Sequence, residues 1–223
     1  KTFYKRTNEY VFDQPGCTNL VFQEPSNLPK EKFDECLLFS NIIKLNSKAY
    51  ATFNFNKLAV EIADVAALTK KEKSMAASFT GKFISAEASY KGKDRVVIYL
   101  KGKGVVLPPT NLDDLKSVFE NDQMIVWSNA KDWKKIIPAK AQKLISNFKT
   151  NKLLIDMSIT ILNGKQYVCM GYDDPLMLPP FEKEFDPNPT IQYKKEVAGI
   201  LSIVCMFIFD FRRISNWVIS VIS

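Results

Sequence analysis

Histidine is absent from this chain of 223 residues. That one absence removes Ser-His-Asp and Cys-His nucleophile activation, His-ligated metal sites and His-ligated haem. Chemistry through Asp, Glu, Lys, Ser or Cys stays open, but the commonest general base is gone. Phosphate-binding signatures are missing too: Lys101-Gly102-Lys103-Gly104 matches neither GxxxxGK[ST] nor GxGxxG and reads as a tight turn between strands. Asn188-Pro189-Thr190 is blocked as a glycosylation sequon by its proline, which disfavours a eukaryotic ectodomain. With only 8 glycines and 11 prolines the chain is neither collagen-like nor linker-rich, and no segment repeats at a period of 20–50 residues. The first residue is Lys1 rather than Met, which reads as a processed product, a fragment or the ordered part of something longer.

Four cysteines, Cys17, Cys36, Cys169 and Cys205, include no C-x-x-C pair, so zinc-ribbon and thioredoxin-type motifs are excluded. Cys17 and Cys36 flank a loop-like stretch and are read either as a disulfide or as small buried apolar residues. What the chain does have is apolar mass. Hydrophobic residues make up 46%, with 16 Phe among them, so a disordered chain is ruled out and one sizeable core is affordable.

The patterning predicts an α+β domain over residues 1–171, built on an antiparallel sheet with two or three packed helices. Ala51, Phe53 and Phe55 alternate with Thr52, Asn54 and Asn56, as in a half-buried strand. Residues 58–68 read as a strand followed by a helical turn. Residues 79–90, 95–100 and 103–107 read as a three-stranded meander, because their connections are short. Asn111 before Leu112, with Asp113 and Asp114 in a first turn, predicts a helix to about Asn121. Shorter helices are expected near 31–39 and 129–137, and residues 123–127 form a buried strand. Ile137, Ala141, Leu144, Ile145 and Phe148 then mark an amphipathic helix. The plainest local signal is a hairpin. Leu153, Ile155, Met157, Ile159 and Ile161 alternate with Leu154, Asp156, Ser158 and Thr160, and Asn163-Gly164 supplies a type I′ turn before Tyr167–Met170.

Residues 172–195 read as an acidic, proline-rich connector. Its Asp173, Asp174, Glu182, Glu184 and Asp186 match no calcium-loop spacing and are taken as solvated. No cofactor is implied.

Two features carry the functional expectation. Residues 131–152 hold seven lysines against Asp132, a local excess of six out of a net charge of +7. Lys131, Lys134, Lys135, Lys140 and Lys143 form the candidate surface for anionic headgroups, with Trp127 and Trp133 nearby. The plainer alternative is a solvated helix face. No arginine lies in the run, which weakens bidentate phosphate or base recognition.

The second feature is the C-terminal segment, 196–223. Val197–Phe209 is uncharged, but as a helix it spans only about 20 Å against roughly 30 Å of hydrocarbon. Extending it to residue 223 buries Asp210, Arg212 and Arg213 at a cost of roughly 9 kcal/mol, against about 3 kcal/mol returned. A tilted transmembrane helix over Tyr193–Phe211 with snorkelling lysines, followed by an interfacial helix around Trp217, is the expected form. The alternative is a core or interface helix. Candidate anchor residues are Ile200, Leu201, Val204, Phe207 and Trp217.

Together these predict a non-enzymatic binding or assembly module held at a membrane, on a side the near-symmetric flanking charges leave open. Its partners would be lipid and other subunits of a complex. The alternative is a soluble nucleic-acid-binding protein using residues 131–152, with the C-terminal helix as core. An enzyme working through carboxylates, lysine or Cys169 is a weaker third.

Overall fold

Three strands of 14 residues each set the scale of the molecule: β2 (Ile42–Phe55), β3 (Leu58–Lys71) and β4 (Ser74–Glu87). The computed structural model describes residues 9–23, 27–71, 74–101, 108–122, 124–137, 141, 154–172, 191, 194, 195, 197–199 and 201. The remaining strands among the described residues are β1 (Cys17–Phe22), β5 (Val96–Leu100), β6 (Lys116–Glu120), β7 (Met124–Ser128), β8 (Leu154–Leu162) and β9 (Lys165–Tyr172). All nine join one sheet in the order β1-β2-β3-β4-β9-β8-β5-β7-β6. Every neighbouring pair is antiparallel.

This corrects the expected α+β class. The protein is mostly one large antiparallel sheet, and its helices are short, among them α1 (Lys30–Asp34) and α2 (Trp133–Ile136). The helix expected after Asn111 is a turn at Asp113-Asp114 leading into β6. The carboxylate of Asp114 pairs with Arg95 at 2.9 Å instead of capping a helix. Residues 58–68 continue as strand throughout, because Val60, Ile62 and Val65 are β-branched and buried on both faces. The expected 79–107 meander is also replaced: β4 pairs with β9, while β5 pairs with β7 and β8. The strand expected at 103–107 lies outside the described residues.

Two hairpins close with left-handed turn residues. Asn163 and Gly164 have φ of 50° and 78°, the type I′ signature between β8 and β9. Asn56 and Lys57 do the same between β2 and β3, at φ 49° and 71°, without a glycine. Irregularities between Lys48 and Ala51 and between Leu154 and Met157 shift the registers locally.

Both faces of the sheet are covered. On the first face, Phe53, Ile62, Ile84, Ile98, Val126, Ile159 and Val168 form one core with Phe12, Trp133, Ile136, Ile137, Val197 and Leu201. On the second, Val65, Phe79, Phe83, Val97 and Cys169 pack under Leu28, Phe33, Cys36, Leu38 and Phe39. Phe33 anchors that cover, with ring centroids 5.3 Å from Phe83 and 6.0 Å from Phe39.

No helix among the described residues is long and apolar enough to cross a membrane. The expected transmembrane helix is therefore withdrawn. Val197 and Leu201, at the start of the apolar run, are buried in the first-face core. The start of the run is anchored from a second side, since Gln14 Nε2 donates to the Lys194 carbonyl at 3.0 Å and Lys194 Nζ sits 4.2 Å over the Tyr10 ring.

Ile159 is fully buried at the middle of the sheet. Ile159→Ala should cost about 2–5 kcal/mol in equilibrium denaturation through the cavity it leaves. A loss below about 0.5 kcal/mol would contradict its central placement.

Candidate functional site

The polar positions of β8 are the unexpected part of the structure. Alternation made Asp156, Ser158 and Thr160 look like a solvent face, yet all three are buried. Ser158 and Thr160 pair with Cys169 and Tyr167, which belong to the second-face core under the 28–42 segment. The register sets Ser158 opposite Cys169 on β9 and Tyr99 on β5, and Thr160 opposite Tyr167 and Val97. Asp156 falls within the irregularity of β8, and a Cβ on Gly171 would lie 1.9 Å from its Oδ1. Glycine at 171 is what leaves room for that carboxylate.

Asp156 Oδ1, Tyr99 Oη and Thr160 Oγ1 are buried with no hydrogen-bond partner among the described residues. Burial pushes the Asp156 pKa up to about 7. Burial, reinforced by the Asp156 charge, raises that of Tyr99. The Cys169 thiol is raised by burial, then by its hydrogen bond to Cys36, and is held protonated. A protonated thiol is a poor nucleophile.

The turn at residues 35–37 is clamped over this stripe. Glu35 Oε2 accepts from Tyr167 Oη at 3.0 Å and from Lys165 Nζ at 2.7 Å. The Lys165 hydrogen bond is the main reason that the Glu35 pKa is lowered. Arg95, buried beneath the turn, donates to the Leu37 carbonyl at 2.9 Å, to the Asn111 carbonyl and to Asp114 Oδ1 at 2.9 Å. One guanidinium thus binds two loops to the sheet, using the fork geometry that lysine lacks.

The first face holds its own buried charge. Asp64 and Lys82 are directly opposite on β3 and β4 and form an ion pair only 4% and 1% exposed. Asp64 Oδ2 has no partner among the described residues. No group of three His, Cys, Asp or Glu side chains among the described residues could hold a metal ion.

The sites expected from sequence separate as follows. Lys131, Lys134 and Lys135 are exposed around α2, while Trp133, Ile136 and Ile137 from the same turn are buried. Lys135 pairs with Asp132 at 2.9 Å on the surface, an interaction of little energetic weight. Lys140 and Lys143 lie outside the described residues. So do Ile200, Val204, Phe207 and Trp217, and the acidic residues of 173–186. Leu201 is buried in the first-face core. Cys17 and Cys36 belong to opposite faces and are both free, so they do not form the disulfide considered from sequence.

Removing one partner of the Asp64–Lys82 pair should be far worse than removing both. Lys82→Met alone should cost about 3–5 kcal/mol by stranding a buried carboxylate, while Asp64→Leu with Lys82→Met should recover most of that loss. Additive losses in a denaturant double-mutant cycle would show that the pair is not coupled.

Asp156 should leave a pH signature. Its folded pKa lies above its unfolded value, so its protonated form favours folding below about pH 4. That contribution is lost as pH rises to about 7. Asp156→Asn should flatten the stability slope over that interval and stabilise the protein at pH 8. An unchanged pH profile in urea melts would remove Asp156 as its cause.

No family model matches the sequence, and no curated protein matches it. Among solved structures, a crystal structure of the mycobacterial trehalose monomycolate transport factor A, TtfA, aligns over 93% of this chain and 97% of that one. The TM-score is 0.43 at 11% identity, a likeness too slight to carry any argument about function.

Proposed function

We propose that the chain is a non-enzymatic binding or assembly module that works against an anionic membrane surface. The observation that carries this reading is a shared face. The α2 turn buries Trp133, Ile136 and Ile137 in the same core that takes Val197 and Leu201, the start of the long apolar run. Lys131, Lys134 and Lys135 are exposed from that turn, so the basic charge and the entry to the apolar segment lie over one side of the sheet. Lysines within a Debye length of an anionic leaflet are attracted to it, and apolar side chains beside them can enter the headgroup region.

In this reading Lys140 and Lys143 extend the basic surface. Ile200, Val204, Phe207 and Trp217 supply the apolar contact as an interfacial element rather than a span, and Leu201 stays in the core. Other subunits of a complex are the natural protein partners of such a module. Binding to single-stranded nucleic acid draws less support. Bases stack on exposed rings, and Trp133 is buried and Trp127 half-buried here.

Co-sedimentation with phosphatidylcholine vesicles, with and without phosphatidylserine, tests the proposal. The protein should prefer the anionic vesicles, and salt should weaken the preference. At about 1 kcal/mol per lysine, Lys131→Gln, Lys134→Gln and Lys135→Gln together should weaken binding roughly 100-fold. Equal binding to neutral and anionic vesicles, or an unaffected triple variant, would overturn it. So would oligonucleotide binding that the triple variant abolishes, with no vesicle binding at all.

A further inference from the structure

Of the cysteines, Cys36 and Cys169 come together in space, although 132 residues lie between them in the sequence. Geometry independent of the thiols explains why. Lys165 and Tyr167 hold Glu35 from β9, and Cys169 lies two residues further along the same strand, with its side chain on the same face. The Arg95 bond to the Leu37 carbonyl fixes the other side of the turn. Cys36, between those two clamped residues, is thereby brought to Cys169 within the second-face core, where the two thiols interact. Both are fully buried in the second-face core.

We propose that Cys36 and Cys169 are a built disulfide site, a covalent modification that staples the 28–42 cover to the central strand β9. The reaction is thiol–disulfide exchange with a low-molecular-weight disulfide. One cysteine sulfur, as thiolate, attacks a sulfur of that disulfide, forming a mixed disulfide and releasing one thiolate. The second cysteine then loses its proton and attacks the cysteine sulfur of the mixed disulfide, closing the Cys36–Cys169 bond and releasing the second thiolate. The two cysteine protons go to the two released thiolates, and the two electrons end on the small disulfide, which is reduced.

Burial keeps both thiols from reacting while the cover is closed, so the bond forms when the 35–37 turn opens or as the chain folds. The loop it closes is long, so the oxidised protein is held more firmly than the reduced one.

The test uses the full chain, reduced and then incubated with oxidised glutathione at pH 8 in mild denaturant, and returned to buffer. Free thiols are alkylated in strong denaturant, and the protein is digested without reduction for mass spectrometry. The expected product is a peptide pair joined through Cys36 and Cys169, reversed by dithiothreitol, with Cys17 alkylated. The oxidised protein should melt several degrees higher than the reduced protein. A Cys17→Ser, Cys205→Ser variant should keep the bond, and Cys36→Ala or Cys169→Ala should each abolish it. Bonds to Cys17 or Cys205, glutathione adducts without the internal bond, or both thiols still alkylated after the denaturant cycle would overturn the proposal. The wild-type peptide map decides even where a variant fails to fold.

Discussion

The ladder between β4 and β9 is the constraint on which the rest of the structure depends. It runs from Gly81 opposite Gly171 to Glu87 opposite Lys165. Strands β1 to β4 form a sequential meander, and β5 to β9 form a second group whose order is not sequential. Only this ladder makes one sheet of the two. It is tight at one end: a Cβ on Gly81 would lie 1.8 Å from the Met170 carbonyl oxygen, so the close approach of the two backbones requires glycine there. With the ladder in place both apolar faces become continuous and must be covered. That demand recruits Val11, Phe12, α2, Val197 and Leu201 to one side and the 28–42 segment to the other.

The two faces treat buried polarity differently. The first neutralises its charge within the sheet, by setting Lys82 across from Asp64. Such pairs contribute little net stability but penalise any register that separates them. Each sits in a 14-residue strand, where slippage by two residues would otherwise leave an apolar pattern much as before. The second face places Arg95 beneath its cover, so that polar bonds to Leu37, Asn111 and Asp114 do the holding while the aromatic cluster of Phe33, Phe39, Phe79 and Phe83 supplies the apolar burial.

What the sequence made legible was local. The Asn163-Gly164 hairpin and the alternation of Ala51, Phe53 and Phe55 were readable because a turn type and a period of two are properties of neighbouring residues. The helix expected after Asn111 misled because Asp113 and Asp114 look alike as a first helical turn and as a polar turn before a strand, and the Arg95 with which Asp114 pairs is distant in sequence. Residues 58–68 were ambiguous since a strand buried on both faces loses its alternation. For the same reason the stripe on β8 went unseen: Asp156, Ser158 and Thr160 look solvated unless the cover over them is known. The exposure of Lys131, Lys134 and Lys135 was legible, whereas Leu201 as core was only one of two readings, because the sequence shows that the segment is apolar but not what it lies against.

The strand order also bears on how the chain is made. Synthesis delivers β4 by residue 87, but its partner β9 begins only at residue 165. At ~5–20 residues per second the ribosome leaves the outer edge of β4 without its ladder for roughly 4–16 s. During that interval the nascent meander presents unpaired backbone groups and one strand's worth of β-prone sequence to any neighbour, including another nascent copy of itself. A chaperone that occupied that edge would limit strand-pairing between chains.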